Sequence, residues 1–390
     1  MMTTTTPAWL EESQQRAQAE HDALAMPSRK DETWRFGNLK QLNFEGYTPE
    51  VSSDISYNIP ELPEGVICMP FEEAVEKHGE LVQQYFMQRE ARLGSAKFTA
   101  LHKANVKSGL FVYVPDNVKV DQPIEVSHVI AGARQIAFPH TLIVAGKNAE
   151  VSVLDRFVSA NEVDASLCIA VNDLIAGEGS KLSYCVIQEL NLQSRMIQVN
   201  ATEVGRDAHA TAFTLNTGSQ WARNEAISLM TGEGAHSDML ACSIPSGTQQ
   251  YDQRTYQHHA APHTNSDLLY KNTLYGTSRT VFSGLILVDE GAHYTDAYQT
   301  CRNLMMEDTA EANSMPGLEI NADQVKCSHG STSSSISDEE IFYLRARGIS
   351  PQKARRLIAN GFSVEAVDRI GNQRIEELVI AAIDRKFASI

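Results

Sequence analysis

Cys327 and His329 stand two positions apart in VKCSHGSTSSS, immediately before a run of serines. A thiolate and an imidazole are good ligands for a soft or borderline metal such as iron or zinc, and they are also the pair used in thiol nucleophilic catalysis. On a strand, residues i and i+2 project from one face about 7 Å apart along the chain, so both can reach one ion. A stable structural site usually takes four protein ligands, and nothing adjacent supplies the other two. Cys301, in YQTCRNL, lies 26 residues earlier, where it can sit on an adjacent coil of a repeating structure. The residues leave three readings open: half of a metal site completed by a second protein, a catalytic pair, or a core cysteine beside a turn-capping histidine. For an isolated chain the last is the simplest.

Other chemistry is poorly served. The sequence has no GxxxxGKS or GxxxxGKT loop for nucleotide hydrolysis, no GxSxG elbow and no HExxH helix. Gly-x-Gly occurs at Gly177 and Gly232 without a third glycine or a βαβ context. His258, His259 and His263 in HHAAPHT invite a metal, but Pro262 forbids the helix that would align two of them, so the stretch reads as a polar turn.

The elements that would position Cys327 and His329 are strands. From about Leu110, β-branched and polar residues alternate, as in IEVSHVI, HTLIVAG, EVSVLDRFV and KLSYCVIQEL. VAGKNAEVSVL, IAGEGSKLSYC, EVGRDAHATAF and MTGEGAHSDML align on Gly146, Gly177, Gly205 and Gly232, with spacings of 31, 28 and 27; VDEGAHYTDAY aligns at Asp289, 57 further on. A unit of this length cannot bury its own apolar face, whereas stacked copies build one continuous core. The pattern favours a parallel β-helix over a β-sandwich, whose hairpins recur every 8–12 residues or so without a longer period. The division expected is a mainly helical region over 1–105, a β-helix over 106–335, and a helical domain over 336–390, hinged at Ser331–Ser335. In that domain Ser337 with Glu340 forms a capping box, Ser350 and Pro351 start a second helix stopped by Gly361, and NQRIEELVIAAIDRKF closes the chain.

An apolar fraction of 42% with 21% charged residues describes a globular chain. The net charge of −16 argues against nucleic acid or an anionic membrane as partner. The tail differs: from Ile336 onward nine Lys and Arg meet eight Asp and Glu, so residues 1–335 carry −17. Six scattered cysteines without a CxxC, an N-terminus without an apolar secretion signal, and no bilayer-length apolar run predict reduced thiols and a cytoplasmic protein.

The segments LYGTSRTVFSGLILV, DAYQTCRNLMM, PGLEINADQVKCSHGS and DEEIFYLRARGI resemble the SufB/SufD family of the SUF iron–sulfur cluster assembly system. Upstream, PSRKDETWRFGNL and HTLIVAGKNAEVSVLDRF are similar to the family's N-terminal motif and its entry into the β-helix. SufB chains carry glutamates on both sides of the matching histidine; Ser328 and Gly330 stand there instead, so the likeness is to the SufD branch rather than to the SufB-type paralogue. The chain departs from the family pattern at STSSSIS and at Cys301.

The resemblance implies a right-handed parallel β-helix flanked by helices, and a non-catalytic scaffold subunit that pairs with SufB and binds the ATPase SufC through its C-terminal helices. A transient Fe–S cluster would form at the SufB border with His329 as a site residue and Cys327 beside it, and flavin can associate with the assembled complex. Ile341, Phe342, Leu344, Leu357, Ile358 and Phe362 are then apolar positions facing SufC or the core, and Arg345, Arg347, Arg355 and Arg356 a basic face for an acidic partner. On this view the tail shifts about its hinge to open the border, and a truncation near Ser335 leaves the solenoid folded. The alternatives are a homodimeric scaffold and a β-helical carbohydrate-active enzyme, which would need paired carboxylates.

Overall fold

The recurring glycine turns stack on one another. In the computed structural model, which describes residues 6–49 and 54–390, the Gly177 N–H donates to the Ala145 carbonyl and the Gly205 N–H to the Ala176 carbonyl, both at 2.8 Å. A Cβ on Gly232 would stand 2.0 Å from the backbone nitrogen of Arg206, so the coils approach this closely only because a side chain is missing there. Beside these turns runs a column of left-handed backbone: Asn148 (φ 52°), Asp207 (φ 54°), His263 (φ 57°) and Tyr294 (φ 61°). His263 therefore sits in a coil turn, while His258 and His259 end a strand.

Between the turns the chain forms two long sheets, parallel throughout the solenoid. Arg195 pairs with Trp221, 26 residues on, and Arg279 with Glu311, 32 residues on, which bounds the coil length in that sheet. The chain is a parallel β-helix with helices at both ends of its sequence. Its lumen is apolar in the early coils, where Leu110, Val112, Ile143, Val153, Cys168 and Val186 meet.

The N-terminal region differs from the mainly helical expectation. It holds α1 (Ala8–Ala23), α2 (Phe71–Lys77), α3 (Gly79–Tyr85) and α4 (Ala96–Asn105), but also three strands among the described residues, the shortest of them Thr48–Pro49. Asp54–Asn58 pairs antiparallel with Ile124–Ile130, and Ile67–Pro70 antiparallel with Ser108–Val114. The starting edge of each sheet offers unpaired N–H and C=O groups, and these short segments cover them. The helices lie over the first sheet: Phe71, Val82 and Phe86 pack on Phe111 and Leu142, and Trp34 and Phe98 on Ile169 and Trp221.

The C-terminal helices, α5 (Asp338–Arg345), α6 (Pro351–Val364) and α7 (Gln373–Ala388), bring three corrections. Ser331–Ser335 is no hinge; it is the second half of the strand Lys326–Ser335, paired residue by residue with Cys301–Met305. Gly361 does not stop α6, which continues to Val364. The tail is also not separable from the solenoid. Ala359, Val367, Ile375, Val379 and Ile383 cover Leu154, Ile187, Phe213, Leu240 and Leu269 on the outer face of the second sheet. A truncation at Ser335 would expose that apolar face to water, so the tail is part of the solenoid's packing rather than a freely hinged unit.

Candidate functional site

Both sheets end at the C-terminal coil. Among the described residues, Glu311–Ile320 is bonded only to Arg279–Val288, and Lys326–Ser335 only to Asp296–Met305. The register sets which side chains face inward. Cys327 lies opposite Ala297, His329 opposite Gln299, Ser331 opposite Cys301, and Ser333 opposite Asn303. All four partners are buried, so the Cys327–Ser333 column continues the lumen wall by one coil. No further coil covers it. His329 is exposed, and Cys327 is half-buried against Ile286, Val288 and Ala297.

The lumen becomes polar as it approaches this rim. The Asn272 amide donates to Asn303 Oδ1 at 2.8 Å, and the Asn303 amide to Ser333 Oγ at 3.2 Å. Gln299 Nε2 donates to Gln257 Oε1 at 3.3 Å. Burial raises the Cys327 thiol, with the Asp296 carboxylate adding to it, so a neighbouring cation or base is needed to draw the thiolate out. Cys301 sits on the adjacent coil, as its spacing suggests, but it faces Ser331, is fully buried, and has its thiol pushed up to about 12 by that burial. It offers nothing to the rim. Among the described residues, no third Cys, His, Asp or Glu joins Cys327 and His329. The chain presents two donor side chains at an open edge and leaves the rest of a coordination sphere to something else.

The tail residues separate into two groups. Ile341, Leu344 and Ile358 are half-buried between α5 and α6; Phe362 packs on the outer face of the second sheet; and the Arg355 guanidinium donates to the Met306 carbonyl. These hold the tail together and to the solenoid. Phe342 (71% exposed) and Tyr343 (57%) on α5 and Leu357 (47%) on α6 are left uncovered, Arg345 and Arg356 on the same helices are exposed, and the Arg347 guanidinium lies 3.5 Å from the Tyr343 ring centroid. Sequence reasoning missed a buried ionic tie between tail and solenoid. Lys271, fully buried in the strand Asn265–Leu274, pairs with Glu365 and stands 3.9 Å from the Phe362 ring centroid. A lysine directly after the apolar run Leu268, Leu269 and Tyr270 was the signal.

Among the described residues, no helix is long and apolar enough to cross a membrane. Residues 128–362 match the model of the SUF system FeS cluster assembly SufBD core domain, and residues 51–126 that of the SufBD protein N-terminal region. The chain is 26% identical to the iron–sulfur cluster assembly protein SufD of Bacillus subtilis, over 97% of this chain and 94% of that protein. It is also 26% identical to the SufBD family protein slr0076 of Synechocystis, over 89% and 84% of the two chains, and to a SufBD family protein of Staphylococcus aureus strain MRSA252, over 83% and 70%. With the core model spanning more than half of its length and a parallel β-helix to match, the chain belongs to the SufBD family of SUF iron–sulfur cluster assembly proteins.

Proposed function

We propose that this chain is the SufD-like half of a two-paralogue scaffold. It pairs with a SufB paralogue across its C-terminal coil and binds the ATPase SufC through its tail. A nascent Fe–S cluster, the cargo of the complex, assembles where His329 and Cys327 meet the partner's ligands. The chain itself carries no catalytic group in this reading; ATP hydrolysis belongs to SufC.

The observation that carries the proposal is the placement of His329: exposed on the last strand, in a lumen-facing column, at a sheet edge with no neighbouring strand among the described residues. Two ten-residue strands with free N–H and C=O rows are templates for another chain. A paralogue docking there would continue both sheets and enclose the imidazole in a drier, lower-dielectric space, where a weak two-ligand set becomes part of a full one. SufC docking on the exposed Phe342 and Leu357 would be felt at the rim, because α6 is tied to the solenoid through Lys271 and Glu365.

The test is co-expression with a SufB paralogue and SufC, comparing wild type with His329→Ala. Loss of cluster iron and sulfide from an intact complex supports the assignment. Unchanged cluster content removes His329 from the chemistry, and dissociation of the complex makes it an interface residue only.

A further inference from the structure

A second cluster of metal-binding side chains lies on the outer face of the second sheet, away from the rim. The repeat that aligns Gly205 with Gly232 also aligns His209 with His236, and the register pairs these two directly on neighbouring strands. Asp238 stands two residues beyond His236, on the same face. His209 Nε2 is 2.8 Å and His236 Nε2 is 3.3 Å from the same oxygen, Asp238 Oδ2. The three ligand atoms lie within 4.8 Å of one another, and the imidazole centroids are 4.3 Å apart. Neighbouring donors around a tetrahedral zinc, with bonds of about 2.0–2.1 Å, stand roughly 3.3 Å apart, so the present triangle needs only small shifts to accept an ion.

The other oxygen of Asp238 is already committed. Arg369, in the tail, donates to Asp238 Oδ1 at 2.9 Å and to Asp267 Oδ2 at 3.0 Å. That bond fixes the carboxylate with Oδ2 toward the imidazoles, the second layer of support that metal ligands usually have. Both histidines are partly exposed, at 44% and 39% of their side chains, which leaves open positions for water or an exogenous ligand.

We propose that His209, His236 and Asp238 form a binding site for one divalent first-row transition ion, with the two imidazoles and one carboxylate on one face and solvent on the other. This ligand type suits zinc, iron(II), cobalt or nickel rather than magnesium or calcium, which take oxygen donors. The site is distinct from the rim. It also borders the tail through Arg369, so an ion there would brace the contact between tail and solenoid.

The experiment is titration of the purified full-length chain with Co2+, followed by visible absorption and by competition with a chromophoric chelator. Wild type should take up one equivalent at this site; His236→Ala and the surface variant His209→Gln should each weaken that uptake at least tenfold, with unchanged far-UV circular dichroism. Cys327→Ser with His329→Ala should leave it intact, which separates this site from the rim. Equal Co2+ uptake by wild type and both histidine variants, or no uptake by wild type at 100-fold molar excess, would overturn the proposal.

Discussion

His329 lies directly across the parallel register from Gln299, yet one side chain is open to solvent and the other is 1% exposed. The two occupy the same column of the same lumen wall; only the presence of a following coil separates them. An inward-facing residue that is left outside is what an unfinished solenoid has at its end. The polar ladder of Asn272, Asn303 and Ser333 reaches the same edge. Closure of this end by a second protein would convert surface groups into buried ones without moving this chain.

Thiol reactivity reports on that opening. Cys168, Cys185, Cys242 and Cys301 are buried, Cys68 is half-buried with its thiol pushed up to about 12, and Cys327 stands at the rim. In the native chain a disulfide reagent should therefore modify Cys327 first, in a phase that Cys327→Ser removes. Since burial also raises the Cys327 thiol, the phase should be slower at neutral pH than for a free cysteine and accelerate with pH. A fast phase that survives the substitution would place Cys327 deeper than the register does. In the proposed complex the same phase should disappear.

The exposed tail residues make a separable prediction. Phe342→Asp combined with Leu357→Asp should change stability by no more than about 1 kcal/mol, because Phe342 is mostly, and Leu357 about half, in solvent. Binding of SufC should fall by about 2 kcal/mol or more, roughly thirtyfold, if the pair forms the centre of that interface. Pull-down and calorimetric titration read the binding, and thermal unfolding the stability. Undiminished affinity would move the ATPase contact elsewhere.

Lys271 and Glu365 are asymmetric partners: the lysine is 1% exposed and the glutamate 50%. Glu365→Ala leaves a charged amine under the tail and should cost about 1–3 kcal/mol, below the range for fully buried pairs because solvent still screens the glutamate side. Lys271→Met should stay within about 1 kcal/mol of wild type, since it removes the charge and keeps the volume. Denaturant unfolding of the two variants and their combination gives the coupling. A larger loss for Lys271→Met than for Glu365→Ala would contradict the assignment.

What the sequence made legible follows from which interactions are local. The coil period is written in glycines because stacked turns collide if a Cβ is added, as at Gly232 beside Arg206. The inward placement of Cys327 and His329 on one face follows from strand alternation. The serine run misled because serine is poor in intrinsic strand preference; Ser331–Ser335 is a strand because Cys301–Met305 offers it a paired edge. Gly361 was read as a helix stop, but α6 continues past it to Val364, held by its packing on the solenoid. Trp34 stands in the PSRKDETWRFGNL motif, but the sequence does not show what its ring packs against. Its ring lies 3.7 Å from the Arg223 guanidinium, a contact between residues 189 positions apart.

That arginine carries the next prediction. Arg223 is fully buried, donates to Glu225 at 2.6 Å and to Asp252 at 2.5 Å, and reaches the Thr33 and Leu93 carbonyls at 2.9 and 2.6 Å. It fastens the PSRKDETWRFG segment to the first sheet. Arg223→Ala leaves the buried Glu225 carboxylate without its cation, while Asp252 keeps Arg254, and should cost about 3 kcal/mol. Arg223→Lys keeps the charge but loses the planar fork, so it should recover only part of that stability. Full recovery by lysine, measured in denaturant unfolding, would reduce the arrangement to simple charge balance.

Acidification should destabilise the fold through histidines buried in neutral form. Burial lowers His102 from 6.5 to about 4 and His259 to about 3, and lowers His140 as well, with His102 nearby adding to the effect. Each binds a proton in the unfolded chain below pH 6.5 that the folded chain refuses, so its contribution is complete above pH 6.5 and is lost as pH falls toward the folded value. Asp173 acts in the opposite sense. Burial raises it from 3.8 to about 7, so the folded chain holds a proton there that the unfolded chain releases, and acidification through that window returns stability. Between pH 6 and 4.5 a histidine held well below that interval contributes about 1.4 kcal/mol per pH unit. His102→Gln should therefore flatten the fall in unfolding free energy over that interval by about this slope, read from urea midpoints at successive pH values. Parallel curves for wild type and variant would show that His102 already takes up its proton in the folded state, and that α4 leaves room around it for the charge.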